Sequence, residues 1–211
     1  SLGVNIEVPV TTISRCIEQV GFGFLYAPLH HPATKRVAKL RKELGFRTLF
    51  NVVGPLSNPA RAVYQLVGVS SRALLEPVAE ALSRLGVKRA IVAWGHDGLD
   101  EITLSGPSDI IKVDGDERRR KTISPEMFGL KPRPFAEFSG RIPADAADII
   151  ERVLNGEAGA YRDLIVLNAG AALFVSEKAE SIEAGIELAH ESIDSGNARS
   201  VLEQLREMCP M

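Results

Sequence analysis

Between Tyr64 and Trp94 the sequence alternates between strand-forming and helix-forming segments. Residues 64–69 and 89–94 are strand-like apolar runs, and residues 74–85 between them carry apolar side chains every three or four positions, as a helix does. Two strands separated by a helix are typical of a parallel pair with a crossover connection. The sequence therefore predicts an α/β fold with a mostly parallel central sheet flanked by helices.

The segments around this unit extend the prediction. A β-rich stretch follows it, with glycine-containing turns between short strands, which is typical of an antiparallel addition to a sheet. Thr11 or Thr12 is expected to cap the first helix, and Ser70 or Ser71 the helix at 74–85. The predicted strands are 102–104, 109–113 and 118–123, and the other predicted helices are 13–25, 33–44, 144–154, 161–175, 182–194 and 198–208.

The composition favours one large globular domain, with 211 residues of which 45% are hydrophobic and 25% charged. A formal net charge of -2 argues against a general nucleic-acid or membrane-surface binder, because such proteins need a basic field. The notable basic run, residues 117–121, follows a turn at Gly115. We interpret it as the solvated second strand of a hairpin, with a phosphate-binding patch as the alternative.

The two cysteines, Cys16 and Cys209, lie near opposite ends of the chain and show neither metal-site spacing nor a framework of pairs. This usage fits a reducing compartment. The sequence has no apolar run long enough to cross a bilayer and no signal-peptide pattern at its start. These features predict a cytoplasmic protein that does not engage a membrane.

Carboxylates are concentrated in the segment that follows the predicted strand 89–94. Asp97, Asp100 and Glu101 lie within five residues, where open α/β sheets place their ligand loops. Adjacent carboxylates repel one another unless a cation neutralises them, and such oxygen ligands suit Mg²⁺. The residues alone leave two readings open, a metal site and an ordinary solvated acidic loop.

A second polar segment lies between the predicted second helix and the first strand. Arg47 precedes apolar residues, and its planar guanidinium suits a carboxylate, although an arginine at a helix end is also a common ion-pair partner. The glycine and prolines that follow predict a rigid loop, which by itself is only a connection. That loop contains Asn51, Gly54, Pro55, Asn58 and Pro59.

Two further segments are candidates for contacts with a ligand or a neighbouring element. His30 and His31 are adjacent, so they do not easily present one face to a metal, and we do not favour chelation by this pair. Residues 168–172, Asn-Ala-Gly-Ala-Ala, predict a close approach of another backbone to the helix at 161–175. We expect a helix-to-sheet contact there, with a direct ligand contact as the alternative.

Four sequence strings together resemble one known family. They are FLYAPLHHPA at 24–33, GFRTLFNVVGPLSNP at 45–59, DGLDE at 97–101 and DSGNA at 194–198. All four are similar to the large domain of anthranilate phosphoribosyltransferase, the tryptophan-pathway enzyme that joins anthranilate to phosphoribosyl pyrophosphate (PRPP). The resemblance implies a C-terminal-domain fold of the nucleoside phosphorylase and phosphoribosyltransferase type, with Mg²⁺ as the cofactor.

The resemblance also implies roles for individual residues. Asp100 and Glu101 match the acidic pair through which Mg²⁺ ions bridge to the pyrophosphate of PRPP, and Arg47 matches the arginine that contacts the anthranilate carboxylate. Other matched positions line the substrate channel, and no residue is nominated as a catalytic base. The channel residues are His31, Asn51, Gly54 and Pro55.

Several positions depart from the family pattern. Ser57 stands where the family usually has threonine, Thr34 replaces a common methionine, and Arg36 stands where histidine is frequent. Trp94 and His96 occupy positions that are often histidine and glutamate. These last two either tune the metal site or only pack beside it.

The resemblance further implies a domain organisation. The family's Gly-Thr-Gly-Gly-Asp loop, which cradles the pyrophosphate, does not occur in these 211 residues. We therefore expect a segment upstream, with 1–45 as a hinge remnant of the helical dimerisation domain and 46–211 as the catalytic domain. The chain alone is expected to be inactive and prone to association, and the full-length protein to be a homodimer.

Two other functions remain as alternatives to the transferase. A pyrimidine nucleoside phosphorylase has similar architecture, but should lack the segment from Arg47 to Pro59. A non-enzymatic paralogue that binds nucleic acid should have a basic surface, which this acidic chain does not provide.

Overall fold

The computed structural model describes residues 1–30, 54, 56–138 and 143–211. Within these ranges the chain folds into a four-stranded sheet and a set of helices that flank it. The strands are β1 (Tyr64–Gly68), β2 (Arg89–Gly95), β3 (Ser108–Asp114) and β4 (Glu117–Ile123), and the helices are α1 (Val10–Val20), α2 (Ala27–His30), α3 (Leu75–Arg84), α4 (Pro143–Leu154), α5 (Ala160–Val175), α6 (Ile182–Asp194) and α7 (Asn197–Met208).

The sheet has the order β1-β2-β3-β4 and is mixed. β1 and β2 are parallel, with Tyr64 opposite Arg89 and Gly68 opposite Ala93, and α3 forms the crossover between them. β2 pairs antiparallel with β3, and β3 with β4. The predicted α/β class and the antiparallel addition are confirmed. Among the described strands, one pair is parallel and two are antiparallel.

The hairpin of β3 and β4 matches its prediction. Gly115 has a positive φ of 56° in the turn, and Asp114 pairs with Glu117 across it. Every residue of β4 except Ile123 is exposed, because this strand lies at the edge of the sheet. The basic run is therefore the solvated second strand of a hairpin.

β2 is buried on both faces of the sheet, which explains its nearly continuous apolar sequence. Ile91 and Ala93 face a core formed with α5 and α6, whereas Ala90 and Val92 face a second core formed with α3. This alternation follows from the two-residue period of a strand. β2 is thus packed on both faces, and the segment that follows Gly95 begins from a buried strand.

Two glycines allow α5 and α6 to pack backbone against backbone. A Cβ on Gly185 would lie 2.3 Å from the carbonyl oxygen of Gly170, and a Cβ on Gly170 would lie 2.7 Å from the backbone nitrogen of Ile186. The close approach predicted for residues 168–172 is therefore present. The expected partner is corrected, because the backbone that Gly170 meets belongs to a helix, α6, and not to the sheet.

The amino-terminal segment packs against the last helix. α1 begins at Val10, directly after Pro9, so Thr11 and Thr12 lie inside its first turn and the predicted threonine cap is wrong. The backbone N–H of Asn5 donates to the carbonyl of Cys209 at 2.8 Å. Cys16 and Cys209 are buried free thiols whose Sγ atoms lie 3.6 Å apart.

Four other expectations need a correction or a limit. α3 begins after Leu74, an apolar residue, so the predicted serine cap is wrong, and Ser71 instead precedes a short 3-10 turn. Residues 102–104 are not a strand. The predicted helix at 33–44 lies outside the described residues, and the proposed division at residue 45 stays a prediction.

In the described ranges, no helix has the length and apolar character needed to span a bilayer.

Candidate metal and substrate site

The acidic segment lies at the carboxyl edge of the two parallel strands. β2 ends at Gly95, and the chain reaches β3 at Ser108 after a loop of residues 96–107. We call this segment the acidic loop. Because β1 and β2 run in the same direction, the end of β1 at Gly68 lies at the same edge. Open α/β sheets bind ligands in this position.

Asp97 holds the shape of the acidic loop. Its Oδ1 accepts a hydrogen bond from the N–H of Leu99 at 3.1 Å, and its Oδ2 accepts one from the hydroxyl of Thr103 at 2.5 Å. The N–H of Gly95 also donates to the carbonyl of Leu99 at 2.9 Å, and Gly98 adopts a positive φ of 93°. Asp97 is therefore engaged within the loop, and it holds the turn that carries Asp100 and Glu101.

The end of β1 approaches the acidic loop so closely that only glycine fits. A Cβ on Gly68 would lie 1.5 Å from the carbonyl oxygen of Asp100 and 2.4 Å from its carbonyl carbon. Both atoms belong to the backbone and do not rotate away. Gly68 thus brings the strand end against the peptide that joins the two candidate ligands.

Asn168 on α5 holds the residue that follows the acidic pair. Its side-chain oxygen accepts from the N–H of Ile102 at 3.1 Å, and its side-chain nitrogen donates to the carbonyl of Ile102 at 2.9 Å. Ile102 is buried and outside regular structure. The sequence reasoning singled out the segment that contains Asn168 only for its small residues, and it missed this contact.

The acidic pair, Asp100 and Glu101, carries negative charge that a bound cation would neutralise. Asp100 is exposed and Glu101 is half-buried, and neither forms an ion pair with another described residue. Burial, together with repulsion from Asp100 and Asp97, raises the pKa of the Glu101 carboxyl above its ordinary value. A bound cation would oppose both effects.

The donor set suits Mg²⁺ better than a metal that needs a complete protein cage. Among the described residues, no group of three His, Cys, Asp or Glu side chains is arranged to hold a metal ion. Mg²⁺ is commonly bound through one or two carboxylates, with water and substrate phosphates completing its shell. Two adjacent carboxylates on an open loop fit that mode.

A buried carboxylate supports the other end of the acidic loop. Asp109 on β3 accepts from Thr122 at 2.6 Å, Arg72 at 2.7 Å and Arg120 at 3.1 Å. Burial opposes its ionisation, but these hydrogen bonds and one from His96 outweigh burial and hold the pKa of Asp109 well below its usual range. His96 lies 3.4 Å from this carboxylate, and its ring is 5.2 Å from that of Trp94. His96, the first residue of the acidic loop, therefore contacts both Trp94 on β2 and Asp109 on β3.

Asp100 and Glu101, which are adjacent in the sequence, lie on the acidic loop outside regular strand and helix. Gly54 is described, and, apart from its neighbours along the chain, no heavy atom of the described residues lies within 4 Å of its Cβ position. The other predicted substrate contacts lie outside the described residues, so their positions are not tested: His31, Arg47, Asn51 and Pro55.

The sequence pattern of the family described as "Glycosyl transferase family, a/b domain" matches residues 1–199. The chain belongs to this family. Two curated relatives are anthranilate phosphoribosyltransferases. The one from Desulfitobacterium hafniense strain Y51 is 47% identical over 205 residues, which are 97% of this chain and 61% of that protein. The one from Rubrobacter xylanophilus is 50% identical over 208 residues, 97% of this chain and 60% of that protein.

Solved structures with the same names share the fold of this glycosyl transferase family member. Anthranilate phosphoribosyltransferase from Thermus thermophilus is 41% identical with a TM-score of 0.91, and the match covers 98% of this chain and 61% of that one. The Saccharomyces cerevisiae enzyme in complex with PRPP and Mg is 32% identical with a TM-score of 0.89, over 98% and 60%. The chain thus spans about three fifths of the length of these relatives.

Proposed function

We propose that the chain carries the large-domain portion of an anthranilate phosphoribosyltransferase, which acts in tryptophan biosynthesis. The reaction transfers the phosphoribosyl group of PRPP to the amine of anthranilate and releases pyrophosphate. The acidic loop carries this proposal, because it presents two carboxylates without a cationic partner among the described residues, at the edge of the sheet where ligands bind. Relatives up to 50% identical, named for this activity, support it.

Asp100 and Glu101 are the proposed metal ligands. They would hold a Mg²⁺ ion, which would supply positive charge to neutralise and orient the departing pyrophosphate. Asp97 keeps the loop in shape through Leu99 and Thr103, so the carboxylates are in place before substrate arrives. The Saccharomyces cerevisiae structure with PRPP and Mg supports this choice of cofactor.

Arg47 is the proposed contact for the anthranilate carboxylate. A guanidinium can bind a carboxylate through two parallel hydrogen bonds, which would aim the amine at the anomeric carbon. An aromatic amine keeps a usable lone pair at neutral pH, so we assign no side chain as a base. The remaining proposed channel residues are His31, Asn51, Gly54 and Pro55.

The proposed assembly follows the same family. Residues 1–45 would belong to the hinge of a helical dimerisation domain, and residues 46–211 to the catalytic domain of a homodimer in the cytoplasm. Anthranilate and PRPP are the proposed partners, with no role for nucleic acid or membrane. Exposed apolar side chains of the first 30 residues, such as Phe22 at 47% and Phe24 at 50% exposure, are consistent with a covered surface in that dimer.

Anthranilate fluorescence with the full gene product tests the proposed reaction. We expect loss of fluorescence that requires both PRPP and Mg²⁺. Asp100→Asn and Glu101→Gln should each lower the rate about tenfold at limiting Mg²⁺, because one ligand is lost while the other and the substrate phosphates remain. Asp116→Asn, which removes an exposed carboxylate from the hairpin turn, is the matched control and should leave the rate unchanged.

The pattern of results separates the proposal from its alternatives. Fluorescence loss without PRPP or Mg²⁺, or no loss at all, would reject the transferase. Equal rates for the wild type and both acidic-loop variants would keep the reaction but reject Asp100 and Glu101 as the metal ligands.

Arg47→Ala should raise the KM for anthranilate and leave the Mg²⁺ dependence unchanged.

A further inference from the structure

We propose that Asn168 is a positioning residue that sets the metal affinity of the acidic pair by clamping the backbone of Ile102. This inference rests on the proposed metal role of Asp100 and Glu101. Asn168 itself lies on α5 and is not proposed as a ligand. Its action would pass through the peptide that follows Glu101.

The clamp satisfies both backbone groups of one buried residue. The N–H of Ile102 donates to the Asn168 side-chain oxygen at 3.1 Å, and the Ile102 carbonyl accepts from the side-chain nitrogen at 2.9 Å. Ile102 is only 1% exposed and is not part of a strand in the described ranges, so its backbone groups are shielded from water and need partners within the protein. One carboxamide therefore replaces the two hydrogen bonds that a neighbouring strand would provide.

The orientation of the Asn168 amide is fixed by a third hydrogen bond. Its side-chain nitrogen also donates to the carbonyl of Leu164 one turn earlier on α5, at 3.1 Å. The nitrogen thus faces two carbonyls and the oxygen faces one N–H. If the amide were turned over, the nitrogen would face the N–H and the oxygen would face the carbonyls, and all three hydrogen bonds would be lost. Aspartate has the same size but lacks the donors, so it cannot form the clamp.

The clamp and Gly68 hold the acidic loop at the residues that precede and follow Glu101 in the sequence. The Asp100 carbonyl lies against the end of β1 at Gly68, and Ile102 is tied to α5. Thr103 continues the restraint by donating its N–H to the hydroxyl of Ser108 at 2.9 Å. Glu101 lies between these fixed points, so its carboxylate is directed by a backbone held on both sides. Groups that orient metal ligands commonly change metal affinity or activity about 10- to 100-fold when removed.

The test measures metal binding directly and does not depend on turnover. In the full gene product with PRPP present, Mn²⁺ is titrated and free Mn²⁺ is followed by electron paramagnetic resonance. We expect Asn168→Ala and Asn168→Asp to raise the Mn²⁺ dissociation constant about tenfold. In the fluorescence assay, the half-saturating Mg²⁺ concentration should rise to a similar extent, while the KM for anthranilate stays within about twofold.

Val175→Ala is the matched control for general damage to the helix. Val175 is buried at the carboxyl end of α5, where it lines a surface with Arg89 and Ala90 at the amino end of β2, whereas the acidic loop leaves the carboxyl end of that strand. Its truncation therefore destabilises the same helix at a distance from the acidic loop. It should lower the melting temperature and leave the Mn²⁺ affinity unchanged. If Asn168→Ala does not fold, Asn168→Asp takes its place as the test of the clamp. Aspartate keeps the size of the side chain and the acceptor for the Ile102 N–H, and it loses the donors to the two carbonyls.

The outcomes distinguish failure of the Asn168 clamp from failure of the proposed transferase reaction. Weakened Mn²⁺ binding in both Asn168 variants supports the clamp even if the wild type consumes no anthranilate, a result that would reject only the proposed function. Unchanged Mn²⁺ affinity in a folded Asn168 variant of an active enzyme overturns the inference alone. A wild type that binds no Mn²⁺ in the presence of PRPP overturns it as well.

Discussion

Gly68→Ala is expected to lower the Mg²⁺-dependent rate about a hundredfold. The new Cβ would lie 1.5 Å from the carbonyl oxygen of Asp100, whereas real Cβ contacts are essentially never shorter than 3.0 Å. Either the end of β1 or the acidic loop must therefore move by about 1.5 Å, and a displacement of that size at a reacting centre typically costs about two orders of magnitude. The obstacle is backbone, so a change of rotamer cannot relieve it.

Steady-state kinetics of the full gene product over a range of Mg²⁺ concentrations would measure this effect. Gly106→Ala is the matched control within the acidic loop, next to β3. Its own chain neighbours apart, no heavy atom of the described residues lies within 4 Å of its Cβ position, and its φ is not in the left-handed region, so the new methyl group displaces nothing. The control should retain the wild-type rate. A Gly68→Ala enzyme with wild-type kcat/KM would contradict the placement of Asp100 against the end of β1.

Gly185→Ala should destabilise the folded protein by about 2 kcal/mol. Alanine is favoured over glycine inside a helix by about 1 kcal/mol. At this position, however, a Cβ would lie 2.3 Å from the carbonyl oxygen of Gly170 and would force α5 and α6 apart. Overpacking of this kind costs about 3 kcal/mol when neither partner can give way, so the steric term exceeds the gain in propensity.

Urea unfolding of Gly185→Ala and the wild type, followed by circular dichroism, would show the effect as a lower midpoint. Gly106→Ala again serves as the control and should change the free energy of unfolding by less than about 0.5 kcal/mol. An unchanged or raised midpoint for Gly185→Ala would mean that helix propensity outweighs the contact. The backbone packing of α5 on α6 would then be wrong.

The periodic segments of the chain could be predicted because their pattern follows directly from burial. β2 is apolar at nearly every position since it faces two cores, and α6 was predicted at its observed bounds, Ile182–Asp194. The hairpin at Gly115 could likewise be predicted, because a charged, exposed strand follows a glycine in a turn. In each case a local pattern and the tertiary environment agree.

Two features were missed because a distant residue decides the local structure. Residues 102–104 were predicted as a strand, but the carboxamide of Asn168 occupies the backbone of Ile102, and no sequence signal near residue 102 reveals a partner 66 positions away. The contact of Cys16 with Cys209 was hidden for the same reason. The caps failed because Pro9 and Leu74 precede the helices where threonine and serine were expected.

The candidate site divides in a similar way. Asp100 and Glu101 could be singled out from the sequence because their adjacency in a loop after a buried strand is a local pattern, but their role as metal ligands rests on the family resemblance and stays a proposal. The supports of that loop, Gly68 and Asn168, come from other elements and became visible only in the fold. Arg47 and its neighbours rest on the family resemblance, and their roles remain proposals.

The most direct test of the account is the position of the metal itself. Crystals of the full gene product grown with PRPP and Mn²⁺ would reveal the ion by its anomalous scattering. We predict a peak about 2.2 Å from a carboxylate oxygen of Asp100 or Glu101, with PRPP phosphate oxygens completing the shell. A Mn²⁺ ion bound to PRPP while both carboxylates remain out of contact with it would contradict the central claim.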